Sequence, residues 1–219
     1  MGISRLAVAV NHGAALLALG GVVGSSALSA QQLEEITVTA QLREENIQQV
    51  PLAVTAVSGK TLDEASLKDV VEMMTSVPSL LVGTNQSSST GNFSIRGVGT
   101  GAQNFGLESS VGLYVDGVYR ARQSSIINQL VDVEAVEILR GPQGTLFGKN
   151  SASGALLIRT VKPSDEQNGF VDVTVGNLSL VNFSAAGNFQ LGERLSARST
   201  VFTSNRDGFV DAGLGDELN

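Results

Sequence analysis

At 219 residues with a formal net charge of −7, the chain has room for one or two domains and is too acidic for non-specific nucleic-acid binding, which needs clustered Lys and Arg. It contains no Cys and a single His, His12, so thiol catalysis, disulfides and Cys-based zinc sites are excluded, and a chain that loses His12 on export keeps no His triad or His metal site. Twenty-five Gly, no Trp and 5% aromatics point to turns and short strands more than to a helical bundle, while 42% hydrophobic and 16% charged residues are not a disordered composition.

Residues 1–30 have the order of a secretory signal. Arg5 precedes an apolar run that includes Ala14, Ala15, Leu16, Leu17, Ala18, Leu19, Val22 and Val23, and small residues dominate from Ser25 to Ala30. Cleavage is expected after Ser29, which puts Ala27 at −3, or after Ala30. The other readings are a membrane anchor or a buried helix.

Residues 31–49 form a polar stretch around one strand-forming segment, Glu34-Glu35-Ile36-Thr37-Val38-Thr39-Ala40. Four consecutive β-branched residues, Ile36 to Thr39, favour extended backbone. Gln41, Arg43, Glu44, Glu45, Asn46, Gln48 and Gln49 follow, so a lone strand there has little to pack on. Either it is the first strand, or a frayed terminus, of the next domain, or it lends its backbone to the sheet edge of a partner.

Residues 50–163 read as mixed α and β. Leu52 to Val57 is β-rich, and Ser58-Gly59 opens a helical stretch with Leu62, Leu67, Val70, Val71 and Met74 near a 3.6 period, stopped by Pro78. Thr84 to Asn92 and Gly99 to Ser110 are polar loops, of the kind that often carry function. Strands are expected at Phe93–Gly97, Val111–Val115, Val118–Tyr119, Val133–Leu139 and Ala155–Thr160, with a turn at Asp116-Gly117 and a short helix over Ser124–Leu130. Between the last two strands lies a Gly141-Pro142 corner and a glycine-spaced connection. Gly148-Lys149 is not a P-loop end, since Gln143 stands where the first Gly belongs and Asn150 where a Ser or Thr would hold magnesium.

Residues 164–219 change pattern. Val171, Val173 and Val175 alternate with Asp172, Thr174 and Gly176; Val181, Phe183, Ala185, Gly187, Phe189 and Leu191 alternate with Asn182, Ser184, Ala186, Asn188 and Gln190. Leu195, Ala197 and Val201 take one parity after the Gly192-Glu193-Arg194 turn, and Ser196, Arg198 and Thr200 the other. Segments of this length and alternation suit membrane β-strands, although a soluble sandwich gives a similar pattern.

Four ordered motifs resemble one family. Ile36 to Ala40 resembles the TonB box of TonB-dependent outer-membrane receptors, and Ile95-Arg96-Gly97, Val115-Asp116-Gly117-Val118-Tyr119 and Val136 to Gly148 resemble the signatures of their plug domain. The likeness covers most of residues 35–163. It implies an α+β plug domain, a small mixed sheet with short helices, followed by the first few antiparallel strands of an incomplete transmembrane β-barrel. The domains expected are then a signal peptide (1–30), the TonB box with its linker (31–49), the plug (50–163) and the start of a barrel (164–219).

The resemblance also implies a mechanism: active transport across the outer membrane, with Glu35, Ile36, Thr37, Val38, Thr39 and Ala40 pairing with the periplasmic domain of TonB. The expected cargo is a ferric siderophore, with vitamin B12, haem or oligosaccharides as other candidates. There is little room before the box for an added signalling domain. By the same analogy Arg96 and Arg140 pair with acids on the barrel wall, with Glu137 as a local partner. Tyr119, Arg120 and Arg122, beside the apical loops, offer a ring and two cations to an anionic ligand. No cofactor, resident metal, nucleic acid or enzymatic role is expected. Since plugged barrels have about 22 strands and only about three are visible, the chain reads as a fragment. The competing function is a passive porin or structural barrel, which needs no TonB box; a periplasmic enzyme lacks a clear carboxylate pair.

Overall fold

A computed structural model describes residues 36–84, 91–100, 108–121, 130–192, 194–208, 210–211 and 217–218. The expected signal peptide, Glu35, Arg122, the Ser124–Leu130 helix up to residue 129 and much of both polar loops lie outside the described residues.

A five-stranded mixed sheet organises the domain. Its strands are β3 (Val54–Ser58), β7 (Val111–Val115), β8 (Val118–Tyr119), β9 (Val133–Arg140) and β10 (Gly154–Thr160), in the spatial order β3-β9-β10-β7-β8. β10 runs antiparallel to β9 and parallel to β7. β9 sits between β3 and β10, and its residues 135–139 are all buried. A strand buried on both sides reads as a nearly continuous apolar run, which Ala135-Val136-Glu137-Ile138-Leu139 is except at Glu137.

Period-two geometry sends alternate side chains to opposite faces. One face carries Val57, Val111, Leu113, Val136, Ile138, Leu156 and Ile158 into the larger core. That core is covered by α1 (Gly59–Glu64), a 3₁₀ turn (Glu72–Thr75) and a small antiparallel sheet of β4 (Leu80–Thr84), β5 (Gly91–Ile95) and β6 (Val98–Gly99). Phe93, Met73 and Leu80 are fully buried there.

The helix is shorter than the 3.6-residue pattern implies. Ser58 Oγ accepts the Thr61 N–H and caps α1, but Ser66 takes a left-handed φ of 56° and ends it. Asp69 Oδ1 then accepts the Glu72 N–H at 2.7 Å, and the 3₁₀ turn starts afresh. The pattern survives because Leu67, Val70 and Met73 still reach the core from separate turns.

Two motifs become tight turns. Ile95 pairs with Val98 and Val115 with Val118, so Arg96-Gly97 and Asp116-Gly117 are the central residues of two-residue hairpins. All four have positive φ (55°, 78°, 50° and 78°), the geometry that matches the strand twist and favours Gly at the second position. Asp116 also ties β10 down, its carboxylate accepting the Thr160 N–H and hydroxyl, each at 2.9 Å.

After the sheet come β11 (Gly169–Val175), β12 (Val181–Gly192) and β13 (Leu195–Asn205), a three-stranded meander. Val171, Val173, Val175, Val181, Phe189, Leu191 and Leu195 are exposed, while Ala186 and Asn188 are buried. No described helix is long and apolar enough to cross a membrane, which bears only on helices. The chain forms two compact units, one of Glu35–Gly169 with Ala186–Val201 and one including Phe170–Ala185 and Phe202–Asn219.

At the start of β10, Gly154 has a φ of 148°, and a Cβ on it would lie 2.2 Å from Leu139 O and 2.8 Å from Ile95 Cδ1. Gly154→Ala is therefore expected to destabilise the plug by more than about 2 kcal/mol through backbone strain and overpacking. Thermal unfolding of the intact protein checks this; an unchanged midpoint would show that β9 and β10 can part without cost.

Candidate partner-binding segment and its seat

The strand-forming segment, expected either to join the next domain or to lend its backbone to a partner, is folded onto the sheet. β1 (Thr37–Val38) pairs antiparallel with β2 (Glu45–Asn46), Thr37 opposite Asn46 and Val38 opposite Glu45. The reversal between them uses Leu42 at a φ of 61°, whose N–H donates to Thr39 O. Ile36 O accepts the Ile47 N–H at 3.0 Å, which closes the open end. The polar tract thus supplies a pairing partner from within itself.

This small hairpin lies on the second face of the five-stranded sheet. Val38 and Ala40 are fully buried, in a core with Val50, Tyr114, Leu139, Ala155 and Leu157. Burial of these two side chains supplies the apolar part of the docking. Ile36 is 40% exposed and Thr37 is exposed, so the segment hides alternate residues and presents the others.

The polar part is Glu137. Ala56, Glu137 and Leu157 are in register across β3, β9 and β10, which puts a carboxylate in the middle of an otherwise apolar row. It is 1% exposed. Its two oxygens accept the Thr39 N–H at 2.8 and 2.9 Å, and Oε1 also accepts the Thr39 hydroxyl at 3.1 Å. Arg159 Nη1 lies 3.3 Å from Oε1, and Arg159 Nε lies 3.1 Å from Glu134 Oε2. Burial pushes the Glu137 carboxyl above its ordinary value and the Glu134 charge adds to this, while the Thr39 bonds and Arg159 pull it down without overcoming burial.

The other expected site residues are placed differently. Arg96 is exposed in the β5–β6 turn and has no acidic partner among the described residues. Arg140 turns back onto its own domain, its guanidinium lying 3.4 Å from Ala53 O and 3.5 Å from Val54 O. It is a strand-edge clamp on β3, and Glu137 takes Arg159 as its cation instead. Tyr119 stacks on Tyr114 with centroids 5.5 Å apart and accepts the Asn150 side-chain N–H at 2.7 Å. Its ring packs against the core beneath the hairpin, whereas Arg120 is exposed.

A buried ion pair that the sequence did not disclose lies at the other end of β9. Asp132, at a φ of 56°, accepts Arg198 Nε at 2.7 Å, Arg198 Nη2 at 2.5 Å and the Thr200 hydroxyl at 2.6 Å. Both side chains of the pair are under one-tenth exposed. Arg198 Nη1 also donates to Asn188 Oδ1 at 3.0 Å, and the Asn188 amide donates to Ser164 Oγ, Glu166 O and Asn168 Oδ1. Burial alone would raise the Asp132 carboxyl; the bonds from Arg198 and Thr200 outweigh it and hold the group below its ordinary value. The acid immediately precedes β9 and the cation lies on β13. The signal present in the sequence was the parity of Asn188, Arg198 and Thr200, which put three polar groups on the inner faces of β12 and β13.

Comparison with known proteins assigns this architecture. The model of the TonB-dependent Receptor Plug Domain matches residues 46–155. The pesticin receptor of Yersinia pestis is 32% identical over 161 residues, covering 71% of this chain and 24% of its own length. An iron-regulated outer membrane virulence protein of Vibrio cholerae serotype O1 is 27% identical over 205 residues, covering 84% of this chain and 30% of that one. The crystal structure of the ferric yersiniabactin uptake receptor of Y. pestis superposes with a TM-score of 0.68 at 29% identity, over 77% of this chain and 27% of that one. The chain thus spans about a quarter of the length of the pesticin receptor it matches.

The Asp132–Arg198 contact makes a direct prediction. Asp132→Ala leaves a guanidinium buried without its carboxylate and is expected to cost about 3–5 kcal/mol, whereas Asp132→Leu with Arg198→Met restores most of that loss. Thermal melting of the intact protein in detergent separates the three variants; a single mutant as stable as wild type would show the pair to be energetically idle.

Proposed function

Because the chain belongs to the TonB-dependent receptor plug-domain family, we propose that it is the plug-bearing part of an active transporter of the outer membrane, driven through residues 35–40 by TonB. On this reading residues 1–30 direct export and are removed, 31–49 carry the TonB box and linker, 50–163 are the plug and 164–219 begin the barrel wall. Two of the relatives named above are called receptors, one of them for ferric yersiniabactin uptake, and the third is called iron-regulated; a ferric siderophore is accordingly the proposed cargo.

One observation carries the proposal. β1 pairs with β2 alone, and neither strand belongs to the five-stranded sheet. An external strand can therefore take over Thr37–Val38 without breaking a single ladder bond of the plug's own sheet. What must be given up is the short ladder to β2, the apolar contact of Val38 and Ala40, and the Thr39–Glu137 bonds. A partner that offers a full strand of backbone bonds offsets the first of these directly.

A peptide spanning Glu34–Gln41 is expected to bind the purified periplasmic domain of TonB. In the intact protein, Ile36→Pro or Val38→Pro is expected to abolish uptake of radiolabelled ferric siderophore while the plug remains folded, because Pro withdraws a backbone donor from the strand. Undiminished uptake by both Pro variants, or no binding by the peptide, would favour a passive barrel over an energised one.

A further inference from the structure

Burying a carboxylate in an apolar row is expensive, and an apolar residue at position 137 would complete the sheet's second face without desolvating a charge. Ala56 and Leu157 flank that position in register, and Leu139, Ala155 and Tyr114 complete the same face. Glu137 nevertheless lies there, 1% exposed. What it provides is specific to one backbone group. Thr39 follows the last residue that β1 pairs with β2, so its N–H has no strand partner, and the carboxylate takes that N–H with both oxygens and the hydroxyl as well. The sequence separation is 98 residues, so the contact is tertiary and depends on the hairpin being docked.

We infer that Glu137 is the positioning residue that seats the Val38–Ala40 segment on the plug and sets how readily that segment leaves. The inference rests on the reading of 35–40 as the segment TonB grasps. In the docked state the carboxylate fixes Thr39, and thereby which side chains are hidden (Val38 and Ala40) and which edge is turned to solvent. When the segment is drawn off, water replaces Thr39 at the carboxylate, which offsets part of the exposure of Leu139, Ala155 and Leu157. Arg159, on β10, stays beside Glu137 in either state, so the acid is not left without a counter-charge. An apolar residue at position 137 would leave the Thr39 N–H and hydroxyl without that acceptor, and the segment would be held less firmly.

The test uses the intact protein in isolated outer membranes, in a background without other cysteines. Ala40→Cys places a thiol at a fully buried position and Gln48→Cys one at an exposed position of the same hairpin region. With Glu137→Ala, maleimide labelling at position 40 is expected to accelerate by about tenfold or more, the effect of losing a charge-assisted bond and stranding a buried N–H. Labelling at position 48 should not change. Glu137→Gln keeps an acceptor oxygen for Thr39 and is expected to restore slow labelling at position 40, which a merely space-filling role for Glu137 would not require. Trypsin cleavage after the exposed Arg43 gives the same order of variants without any introduced thiol, should Ala40→Cys fail to insert. Equal rates for wild type and Glu137→Ala, or Glu137→Gln behaving as Glu137→Ala, would overturn the inference. If labelling follows the expected order while the TonB domain ignores the Glu34–Gln41 peptide, the seat stands and the transport reading falls.

Discussion

The burial of β9 on both faces is the constraint from which the rest of the plug follows. A central strand with hydrogen-bonded neighbours on each side and apolar side chains pointing both ways needs a cover on each face. α1, the 3₁₀ turn and the β4–β6 sheet cover one. The other is covered by the chain that leads into the domain, with Val38, Ala40, Val50 and, partly buried, Ile47 and Leu52. The segment of residues 36–40 is thus not an appendage of the fold but part of its second core. It contributes side chains to that core and no strand to the main sheet.

The strands were largely legible in the sequence because each is a local pattern. β-branched runs, an Asp-Gly turn and alternation located β5, β7, β9, β10, β11 and β12 to within about two residues, whereas β13 runs past Val201 to Asn205, and Arg96-Gly97, expected to end a strand, forms a turn. The helix was over-extended from Gly59 to Met74 because a 3.6-residue period also arises when separate turns each send one apolar residue to a common core. The strand-forming segment left two readings open. Ile36 to Ala40 looks unsupported because its cover, β9, is about a hundred residues away and its pairing strand, Glu45–Asn46, is polar.

Charge partners were the least legible feature. Nothing local distinguishes Arg159, which meets Glu137, from Arg140, which bonds backbone carbonyls of β3 and its lead-in. The resemblance drew attention to Arg96 and Arg140, and nothing in it pointed to Asp132–Arg198, which are 66 residues apart in sequence. The alternation did put Asn188, and Arg198 with Thr200, on the polar parity of their own strands, so that side of the contact was visible and Asp132 was not.

Asp132, just before β9, and Glu137, within it, differ in the balance of the same two terms. At Asp132 the bonds from Arg198 and Thr200 exceed the penalty of burial, and the carboxyl lies below its ordinary value; ionised Asp132 therefore stabilises its contact, and this is lost only as pH falls through that depressed value. At Glu137 burial exceeds the bonds from Thr39 and the charge of Arg159, and the carboxyl lies above its ordinary value. The sign is then the reverse. The contribution of Glu137 to the folded state is present below the ordinary value and is lost as pH rises through the raised one. The residue before β9 is thus held by Arg198 of β13 and the middle of β9 by Thr39, and the two contacts respond to pH with opposite sign.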